Sequence, residues 1–341
     1  MRPLFPARRA TAPGAFAGAL TGLWLAGLSA CSVLGFGEPP IEDDPDDPYG
    51  VGVTESSQPE GDGADAQTEE DATTVMAEEG FMTVADDGGE GGDACPLVDI
   101  LFVVDDSNSM GREQETLAQS IDGFIAGIES QLSGDNDFHL GVVTTDEYQH
   151  NPEGCRELGN LVTTTPEGEC GPYAEGNFIG GMDDLSSAFA CASQVGIDGD
   201  HDERPLDAAI AALWEQGSCN EGFLRDDSLL ILVIISDEDD SADPNTDNVG
   251  SAGDPPDWYA NVVAARGGVD DNVVVLSIIG VDEPNQCGSD ESSKPGARID
   301  EFTRSFPFWQ VADVCEDDYS SFFNDALSLV YYACSGFTPP G

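Results

Sequence analysis

Basic residues are scarce in this sequence of 341 residues. Lysine and arginine together number 11 against 67 aspartate and glutamate residues, so the formal net charge is −56. Lys294 is the only lysine, and three of the arginines lie within the first nine residues. A chain this acidic repels nucleic acid and anionic lipid surfaces, so a nucleic acid is not an expected partner. Divalent cations and cationic groups are its natural counterparts, and the alternative is that the acidity serves solubility alone.

The sequence also lacks the short motifs of common enzyme classes. It contains no GxSxG nucleophile elbow, no HExxH motif and no phosphate-binding glycine loop. It has no CxxC pair, and its three histidines are scattered, at His139, His150 and His201. His139 falls within a predicted strand and is expected to be structural. These absences predict a protein that is not an enzyme, and they argue against a zinc site built from Cys and His.

The N-terminus has the features of an export signal. Arginines precede an uncharged stretch from 11 to 30 that is rich in Ala, Leu and Gly, and residues 28–31 read LSAC. The pattern resembles the bacterial lipoprotein signal, which implies that residues 1–30 are removed and that Cys31 is lipidated. A simple anchor helix is the alternative, because 20 uncharged residues could just span a bilayer. We therefore expect an exported lipoprotein of the cell envelope, at the outer membrane or the cell surface.

Residues 31–94 are predicted to form a disordered acidic linker. Between 37 and 93 there are 19 Asp or Glu residues and no Lys or Arg, among many Gly, Pro, Ser and Thr. Such a segment buries too little apolar area to offset its loss of conformational entropy, and its like charges extend it. We expect it to act as a spacer between the lipid anchor and a folded domain at 95–336, with 337–341 as a short tail.

The cysteines indicate disulfide bonds. Apart from Cys31, eight of the nine remain, and an even number in an exported chain is typical of a disulfide-bonded domain. Many pairings are possible for eight cysteines. Proximity along the chain suggests the pairs Cys155–Cys170, Cys191–Cys219 and Cys287–Cys315. Cys95 and Cys334 would then pair and join the two ends of the domain.

Strands and helices alternate in the predicted domain. Continuous apolar runs predict strands at 99–104, 138–145, 228–236, 272–281 and 308–312. A short edge strand is possible at 161–165. Apolar residues at helical spacing predict helices at 117–132, 184–195, 204–216, 258–265, 297–305 and 318–333. The alternation predicts an α/β fold with a doubly wound, mostly parallel six-stranded sheet flanked by helices.

Two predicted strands run directly into carboxylates and hydroxyls. The strand at 99–104 is followed by DDSNS at 105–109, and the strand at 228–236 is followed by DEDD at 237–240. A strand order of 3-2-1-4-5-6 would place both ends at the point where the order reverses, which is where open α/β sheets bind ligands. Crowded carboxylates repel one another unless a cation lies among them, and oxygen ligands suit Mg²⁺, with Ca²⁺ or Mn²⁺ as alternatives.

Simpler roles are open for the same residues. Ser107 and Ser109 could cap the helix that follows them, because serine is a favoured residue at helix N-termini. Residues 238–240 are expected to be a solvated loop and not additional metal ligands.

The segment DDSNS resembles the Asp-x-Ser-x-Ser motif of von Willebrand factor type A (VWA) domains. IISDEDD, at 234–240, resembles that family's second site motif, a hydrophobic strand that ends in Ser or Thr followed by Asp. The order of elements over 95–336 is also similar. The resemblance implies a Rossmann-like fold with a metal-ion-dependent adhesion site, where Ser107 and Ser109 bind the ion directly and Asp105 and Asp237 bind it directly or through water. One metal position would stay open for an acidic group of a protein or extracellular-matrix ligand.

The sequence departs from the family at one position. The family usually supplies a Thr from the loop before the third main helix, but residues 196–213 read GIDGDHDERPLDAAIAAL and contain no Thr. Glu203 or Asp202 could take its place, and the more anionic site would bind a cation better and attract an acidic ligand less. The alternation of Asp198, Asp200 and Asp202 also resembles a short calcium loop, without the glycine and distal Glu of a full EF-hand.

Three functional hypotheses follow. The preferred one is a surface-tethered module for cell adhesion or protein binding through a divalent cation. The second is a structural or assembly lipoprotein whose fold works without metal-dependent binding. The third treats the acidic chain as a calcium-responsive element of the cell surface.

Overall fold

The structure is a computed structural model that describes residues 97–131, 137–200, 202–214, 217–242, 249–282, 284–287 and 293–339. The predicted signal at 1–30, the lipidation site Cys31, the linker at 31–94 and Cys95 lie outside these residues. Within the described ranges, no helix is both long enough and apolar enough to cross a membrane.

A six-stranded sheet forms the centre of the fold, in the order β5-β2-β1-β6-β7-β8. Five of its strands are parallel, namely β1 (Val98–Val104), β2 (Phe138–Thr144), β6 (Leu229–Ser236), β7 (Val273–Ile279) and β8 (Phe308–Asp313). The edge strand β5 (Ile179–Gly180) runs antiparallel to β2. Counted along the chain, this is the predicted order 3-2-1-4-5-6. Both the fold class and the reversal of strand order beside β1 are confirmed.

The edge strand suggested at 161–165 is not part of this sheet. The main-chain N–H of Val162 donates one hydrogen bond to the carbonyl of Val142, at 2.8 Å, and the chain then leaves the sheet. β3 (Thr164–Thr165) pairs with β4 (Gly168–Glu169) in a separate two-stranded sheet. Pro166 and Gly168 favour a tight turn at this point, so the segment folds back on itself and does not extend along β2.

Helices cover both faces of the sheet. They are α1 (Gly111–Ser120), α2 (Asp122–Gln131), α3 (Leu185–Ala192), α4 (Pro205–Trp214), α5 (Pro255–Ala265), α6 (Ala297–Thr303) and α7 (Ser320–Gly336). Side chains of α1, α2, α3 and α7 pack in one apolar core with Ile100 and Phe102 of β1. Those of α4, α5 and α6 pack in a second core with Leu101 and Val103. Every residue of β1 is buried because both faces of the strand are covered, which explains its continuous apolar run.

Two predicted disulfide pairs, Cys155–Cys170 and Cys191–Cys219, are wrong. The structure joins Cys155 to Cys219 and Cys170 to Cys191, with Cα atoms 5.6 and 5.5 Å apart. The reason is the path of the long loop between β2 and β5. Its first part lies beside the turn that follows α4, and its second part, the β3–β4 hairpin, packs against α3. Proximity along the chain therefore does not identify the partners.

The remaining cysteines agree with the prediction where they are described. Cys287 and Cys315 form a disulfide with Cα atoms 4.9 Å apart. Cys334 is also disulfide-bonded, and Cys95, the partner predicted for it, lies outside the described residues. Disulfides are typical of proteins in oxidising compartments outside the cytosol.

Candidate metal centre

The carboxyl ends of β1 and β6 carry the two acidic clusters and lie side by side. Val104 pairs in register with Ile235, so Asp105 and Ser236 follow next to each other. Asp105 is fully buried and links the two loops. Its Oδ2 atom accepts the Ser236 hydroxyl at 2.6 Å, and its Oδ1 atom accepts the Ser107 N–H at 2.8 Å. The parallel register therefore brings the clusters together as the sequence predicts.

Ser107 and Ser109 present their hydroxyl groups side by side, with the two Oγ atoms 3.3 Å apart. The alternative that they cap the next helix is wrong. Met110 is the N-cap residue of α1, and no side chain forms a capping hydrogen bond there. The Met110 N–H donates to the main-chain carbonyl of Ser107 instead, at 3.2 Å. The two hydroxyls therefore have no helix-capping role.

The loop before α4 contributes Glu203, and not Asp202, to the cluster. Glu203 is 1% exposed, and its Oε2 atom accepts the hydroxyl of Thr145 at the end of β2. Its Oε1 atom is buried without a hydrogen-bond partner. Asp202 instead holds the loop at 249–250, where its Oδ1 atom accepts two main-chain N–H groups at 2.6 and 3.0 Å. Glu203 is thus the residue of this loop that lies among the acids of the strand ends.

Two further carboxylates at this edge, Asp106 and Asp146, are not among the metal ligands predicted from the sequence. They are 4% and 7% exposed, and each has a buried Oδ1 atom without a hydrogen-bond partner. Asp146 follows β2, the other neighbour of β1 in the sheet. A usable signal was therefore present, because Asp146 is the first carboxylate after a predicted strand that borders the strand-order reversal. Asp106 lies within the DDSNS segment at the position that the family motif leaves unspecified.

Burial raises the pKa of these acids, and their mutual repulsion adds to the effect. Burial raises the pKa of Glu203 to about 10, with repulsion from Asp105 as the next cause. The pKa of Asp106 rises to about 8 through burial and repulsion from Asp146 and Asp105. Burial and repulsion from Asp105 raise the pKa of Asp237 to about 6. At neutral pH the cluster must therefore hold either protons or a cation.

Basic side chains stay at the rim of this cluster. In the described part of the chain, no Lys or Arg forms an ion pair with Asp105, Asp106, Glu203 or Asp237. Lys294 lies at the edge, where its Nζ atom is 3.4 Å from the carboxylate of Glu238. Among the described residues, these four acids therefore have no cationic side chain as an ion-pair partner.

At the amino-terminal ends of the strands, opposite the candidate site, a buried acid is neutralised by an arginine of the protein. Asp99, also fully buried, accepts hydrogen bonds from Nε of Arg225 at 2.8 Å and from the Ser228 hydroxyl at 2.5 Å. His139 lies nearby in β2, with Nδ1 2.8 Å from the carbonyl oxygen of Phe223, in the structural role expected for it. Asp99 therefore has an arginine as its partner. The acids of the strand-end cluster, which are Asp105, Asp106, Glu203 and Asp237, form no such ion pair with a described Lys or Arg.

The prediction of a solvated loop at 238–240 does not hold for Asp239 and Asp240. Asp240 is fully buried and accepts the N–H groups of Leu206 at 3.0 Å and Ser251 at 2.6 Å. Asp239 accepts the N–H of Arg298, at the start of α6, at 3.0 Å. These carboxylates therefore hold the N-terminal turns of α4 and α6 against the loop, which is a structural role.

The donor atoms at the strand ends are two hydroxyls and several carboxylates. Among the described residues, no three carboxylate oxygens there lie within 4.8 Å of one another, so a cation would reach some of them through water. A separate group, Cys287, Asp313 and Cys315, does bring three potential ligand atoms that close. Its two sulfur atoms form a disulfide and are not thiolates, so this group is not a metal site.

Comparisons with known proteins add similarities of fold. No protein-family model matches the sequence. No significant match is found among curated proteins. The chain is similar to proximal thread matrix protein 1 of the mussel byssus, with 15% identity, a TM-score of 0.39, and coverage of 70% of this chain and 49% of that one. It thus spans about half the length of that protein.

Two further solved structures are similar over a comparable share of the chain. The manganese-loaded TRAP protein of Plasmodium vivax has 15% identity and a TM-score of 0.37 over 69% of this chain and 73% of its own. The pilus adhesin SpaC of Lactobacillus rhamnosus GG, in an open conformation, has 14% identity and a TM-score of 0.37 over 70% of this chain and 30% of its own. These TM-scores are below 0.5, so the similarities support no assignment of fold or site. Both assignments depend on the strands, helices and contacts of this structure alone.

Proposed function

We propose that this chain is an exported binding module that holds a divalent cation at the strand-end cluster and captures a protein or matrix ligand through it. Ser107 and Ser109 would bind the ion directly, and Asp105 and Asp237 would bind it directly or through water. Glu203 would take the place of the family's Thr. The ion would be Mg²⁺, with Ca²⁺ and Mn²⁺ as alternatives, since all the donors are oxygen atoms.

The observation that carries this proposal is a set of buried acidic oxygens without partners. Asp237 Oδ1 and Glu203 Oε1 are both buried and accept no hydrogen bond from any described residue. A buried carboxylate oxygen that loses its hydration without compensation costs free energy, about 1–3 kcal/mol for an ordinary polar group and more for a charge. A hard cation among them compensates that cost. The hydroxyls of Ser107 and Ser109, 3.3 Å apart, supply neutral oxygen ligands beside these carboxylates.

The ligand would be bound through an acidic group that completes the coordination of the ion. Glu203 adds a carboxylate where the family has a neutral Thr, so the ion would be held more tightly and would attract a ligand carboxylate less. Replacing Glu203 by Thr is therefore expected to weaken cation binding and to strengthen ligand capture. A variant that loses both would show that the ion is not held without Glu203, and it would contradict the expected gain in ligand capture.

The cellular setting is part of the proposal. The disulfides Cys155–Cys219, Cys170–Cys191 and Cys287–Cys315 are typical of an oxidising compartment outside the cytosol. Lipidation at Cys31 would tether the chain to the envelope membrane, and the acidic segment at 31–94 would carry the domain away from that surface. With a formal charge of −56, the chain is not proposed to bind nucleic acid.

Calorimetric titration of the chain with Mg²⁺, Ca²⁺ or Mn²⁺ tests the metal, and capture from the native surface tests the partner. We expect Asp105→Ala to abolish binding at the strand-end cluster. Asp226→Ala is the matched control, because Asp226 is exposed and lies before β6, at the opposite edge of the sheet. Partner capture should disappear with a chelator and with Asp105→Ala, and circular dichroism shows whether each variant is folded.

A structural or assembly scaffold is the second candidate function. The observation that favours it is the raised pKa of Glu203, about 10, and of Asp106, about 8, which would let both acids stay protonated at neutral pH without a cation. Partner capture that survives both the chelator and Asp105→Ala would support this role. Metal binding without any partner capture would favour a calcium-responsive surface element.

A further inference from the structure

A second acidic pocket lies on the other side of β1 from Ser236. Its volume is about 410 Å³, and it is lined by Asp106, Asp146, Glu147, Gln149, Asp198, Gly199 and Asp200. Its inner wall is formed by the buried Asp106 and Asp146, while Glu147, Asp198 and Asp200 are exposed at the rim. The coordination proposed above for the first ion uses neither Asp106 and Asp146 nor these rim residues.

The chain direction at the end of β1 separates the two sites. Successive side chains of an extended segment point to opposite sides. Asp105 turns toward β6, where it accepts the hydroxyl of Ser236. Asp106 turns toward the loop after β2, which carries Asp146, and toward Gly199. Two consecutive aspartates thus serve two different groups of oxygen atoms.

Two buried oxygen atoms in this pocket have no hydrogen-bond partner among the residues that the structure describes. They are Oδ1 of Asp106 and Oδ1 of Asp146, on side chains that are 4% and 7% exposed. The other oxygen of Asp146 is occupied, because Oδ2 accepts the main-chain N–H of Asp200 at 2.6 Å. That bond fixes the carboxylate and draws the acidic rim loop over it. Partnerless buried carboxylate oxygens are costly and point to a bound positive species.

The rim loop is built for a close approach to Asp106. The Gly199 N–H donates to the main-chain carbonyl of Asp106 at 2.9 Å. A Cβ atom added at Gly199 would lie 2.7 Å from Cγ of Asp106 and 2.8 Å from its main-chain oxygen, so no larger residue fits without a shift of the backbone. Gln149 holds the same loop from outside, with Nε2 3.4 Å from the carbonyl oxygen of Asp198.

The charges around the pocket leave a large negative excess. Five carboxylates line it, on Asp106, Asp146, Glu147, Asp198 and Asp200. The neighbouring base is Arg204, whose guanidinium is 3.8 Å from Glu147 at the rim and contacts neither unpartnered oxygen. Among the described residues, no three of these carboxylate oxygens lie within 4.8 Å of one another, so water would complete the coordination of an ion here. A wide, partly hydrated site suits Ca²⁺, which takes six to eight oxygen ligands in variable geometry, better than Mg²⁺ with its strict octahedron.

We propose that Asp106 and Asp146, with the acidic rim at 198–200, form a second cation site that binds Ca²⁺ next to the strand-end cluster. This site goes beyond the proposed function, because the ion proposed to bind a ligand carboxylate is held by other residues. An ion there would tie the loop before α4 to the ends of β1 and β2. Because Glu203 belongs to the same loop, the second ion would hold Glu203 in position for the first.

Calorimetric titration of the intact chain with Ca²⁺ tests this proposal. The wild-type chain should bind two ions above the weak binding to its acidic linker, which all variants share. Asp146→Asn preserves the size of the side chain and an oxygen acceptor for the Asp200 N–H, and it should remove one of the two ions. Ser109→Ala should remove the other, and Asp226→Asn, with the same charge change at the opposite edge, should keep both. Each lost ion is expected to show an affinity lowered at least about tenfold.

The outcomes separate this proposal from the proposed function. If Asp146→Asn, folded by circular dichroism, still binds two ions with wild-type affinity, the second site does not exist. If Asp146→Asn and Ser109→Ala each abolish all strong binding, the two clusters form one site and the proposal is overturned. If only one ion binds, and Asp146→Asn removes it while Ser109→Ala does not, the second site stands and the strand-end metal site fails. Asp198→Asn, at the exposed rim, gives a second variant without a folding risk and should weaken the same ion as Asp146→Asn.

Discussion

The hydroxyl of Ser236 donates a 2.6 Å hydrogen bond to Oδ2 of Asp105, and this bond joins the carboxyl ends of β6 and β1. Both residues are fully buried. Ser236 therefore links the two halves of the candidate metal centre although it is not one of the proposed ligands.

Replacing Ser236 by Ala should destabilise the fold by about 2 kcal/mol, because a buried carboxylate oxygen loses its donor. It should also weaken cation binding, since the side chain of Asp105 is then less well oriented. Urea denaturation and calorimetry measure the two effects. Ser277→Ala is the matched control, because Ser277 is buried in β7 and its hydroxyl lies 2.7 Å from that of Thr303, away from the acidic cluster. Equal cation affinity in Ser236→Ala and wild type would contradict the positioning role.

The metal-free protein should lose stability as the pH rises. An acid whose pKa is higher in the folded state stabilises the fold fully below its unfolded pKa, and this contribution is lost as the pH rises through the folded pKa. The pKa values of Asp237, Asp106 and Glu203 rise to about 6, 8 and 10, so the loss should extend from about pH 4 to about pH 10. Urea denaturation in a chelator at several pH values measures it.

Saturating Ca²⁺ or Mg²⁺ should flatten this pH dependence, because the cation takes over the neutralisation of the acids. The many surface acids also repel one another at high pH, so Glu203→Gln serves to isolate the cluster. This variant should show a smaller loss of stability on the alkaline side than the wild type. An unchanged slope would mean that Glu203 is not the acid that holds a proton in the metal-free fold.

Gly199→Ala should disturb the acidic pocket. The added Cβ would overlap Asp106, so the rim loop must move, at a cost of about 1–3 kcal/mol. Binding of the second Ca²⁺ should weaken at the same time. Gly217→Ala is the control, since a Cβ at that exposed position meets no atom within 4 Å. Calorimetry that finds equal Ca²⁺ affinity in the two variants would contradict the role of the Gly199 loop.

The two disulfides whose partners differ from the predicted ones should differ in their effect on stability. The pair Cys155–Cys219 closes 64 residues and the pair Cys170–Cys191 closes 21. By loop entropy, replacing both cysteines of a pair by Ala should cost about 4 kcal/mol for the longer loop and about 3 kcal/mol for the shorter one. Thermal denaturation measures the order, and a reversed order would show that strain or residual structure outweighs loop length.

The location of four candidate ligands at one edge of the sheet could be predicted from the sequence. Asp105, Ser107, Ser109 and Asp237 follow strands whose apolar runs are long enough to be recognised, and the strand order of a doubly wound sheet places their ends together. Periodicity and the strand-order rule are both local or general properties, so no tertiary information was needed. Asp146 follows the third strand that ends at that edge, so the strand-order rule predicts its location there as well.

Other features depend on contacts that no local pattern encodes. Which of Glu203 and Asp202 turns toward the cluster follows from the hydrogen bonds of Asp202 to the loop at 249–250. The disulfide partners follow from the path of a long loop across two different helices. The half-buried position of Asp239 and the buried position of Asp240 follow from their bonds to the N-termini of α6 and α4. Each depends on tertiary packing, where acidic residues that look solvated in sequence become buried acceptors.

The central claim is that a divalent cation is bound among Ser107, Ser109 and Asp237. Anomalous diffraction from crystals grown with Mn²⁺ tests it most directly, because the ion gives its own signal at its own position. We expect a peak in contact with the two serine hydroxyl oxygens, which is absent in Ser109→Ala crystals grown in the same way. Well-ordered wild-type crystals in saturating Mn²⁺ that show no peak there, or a peak only beside Asp146, would contradict it.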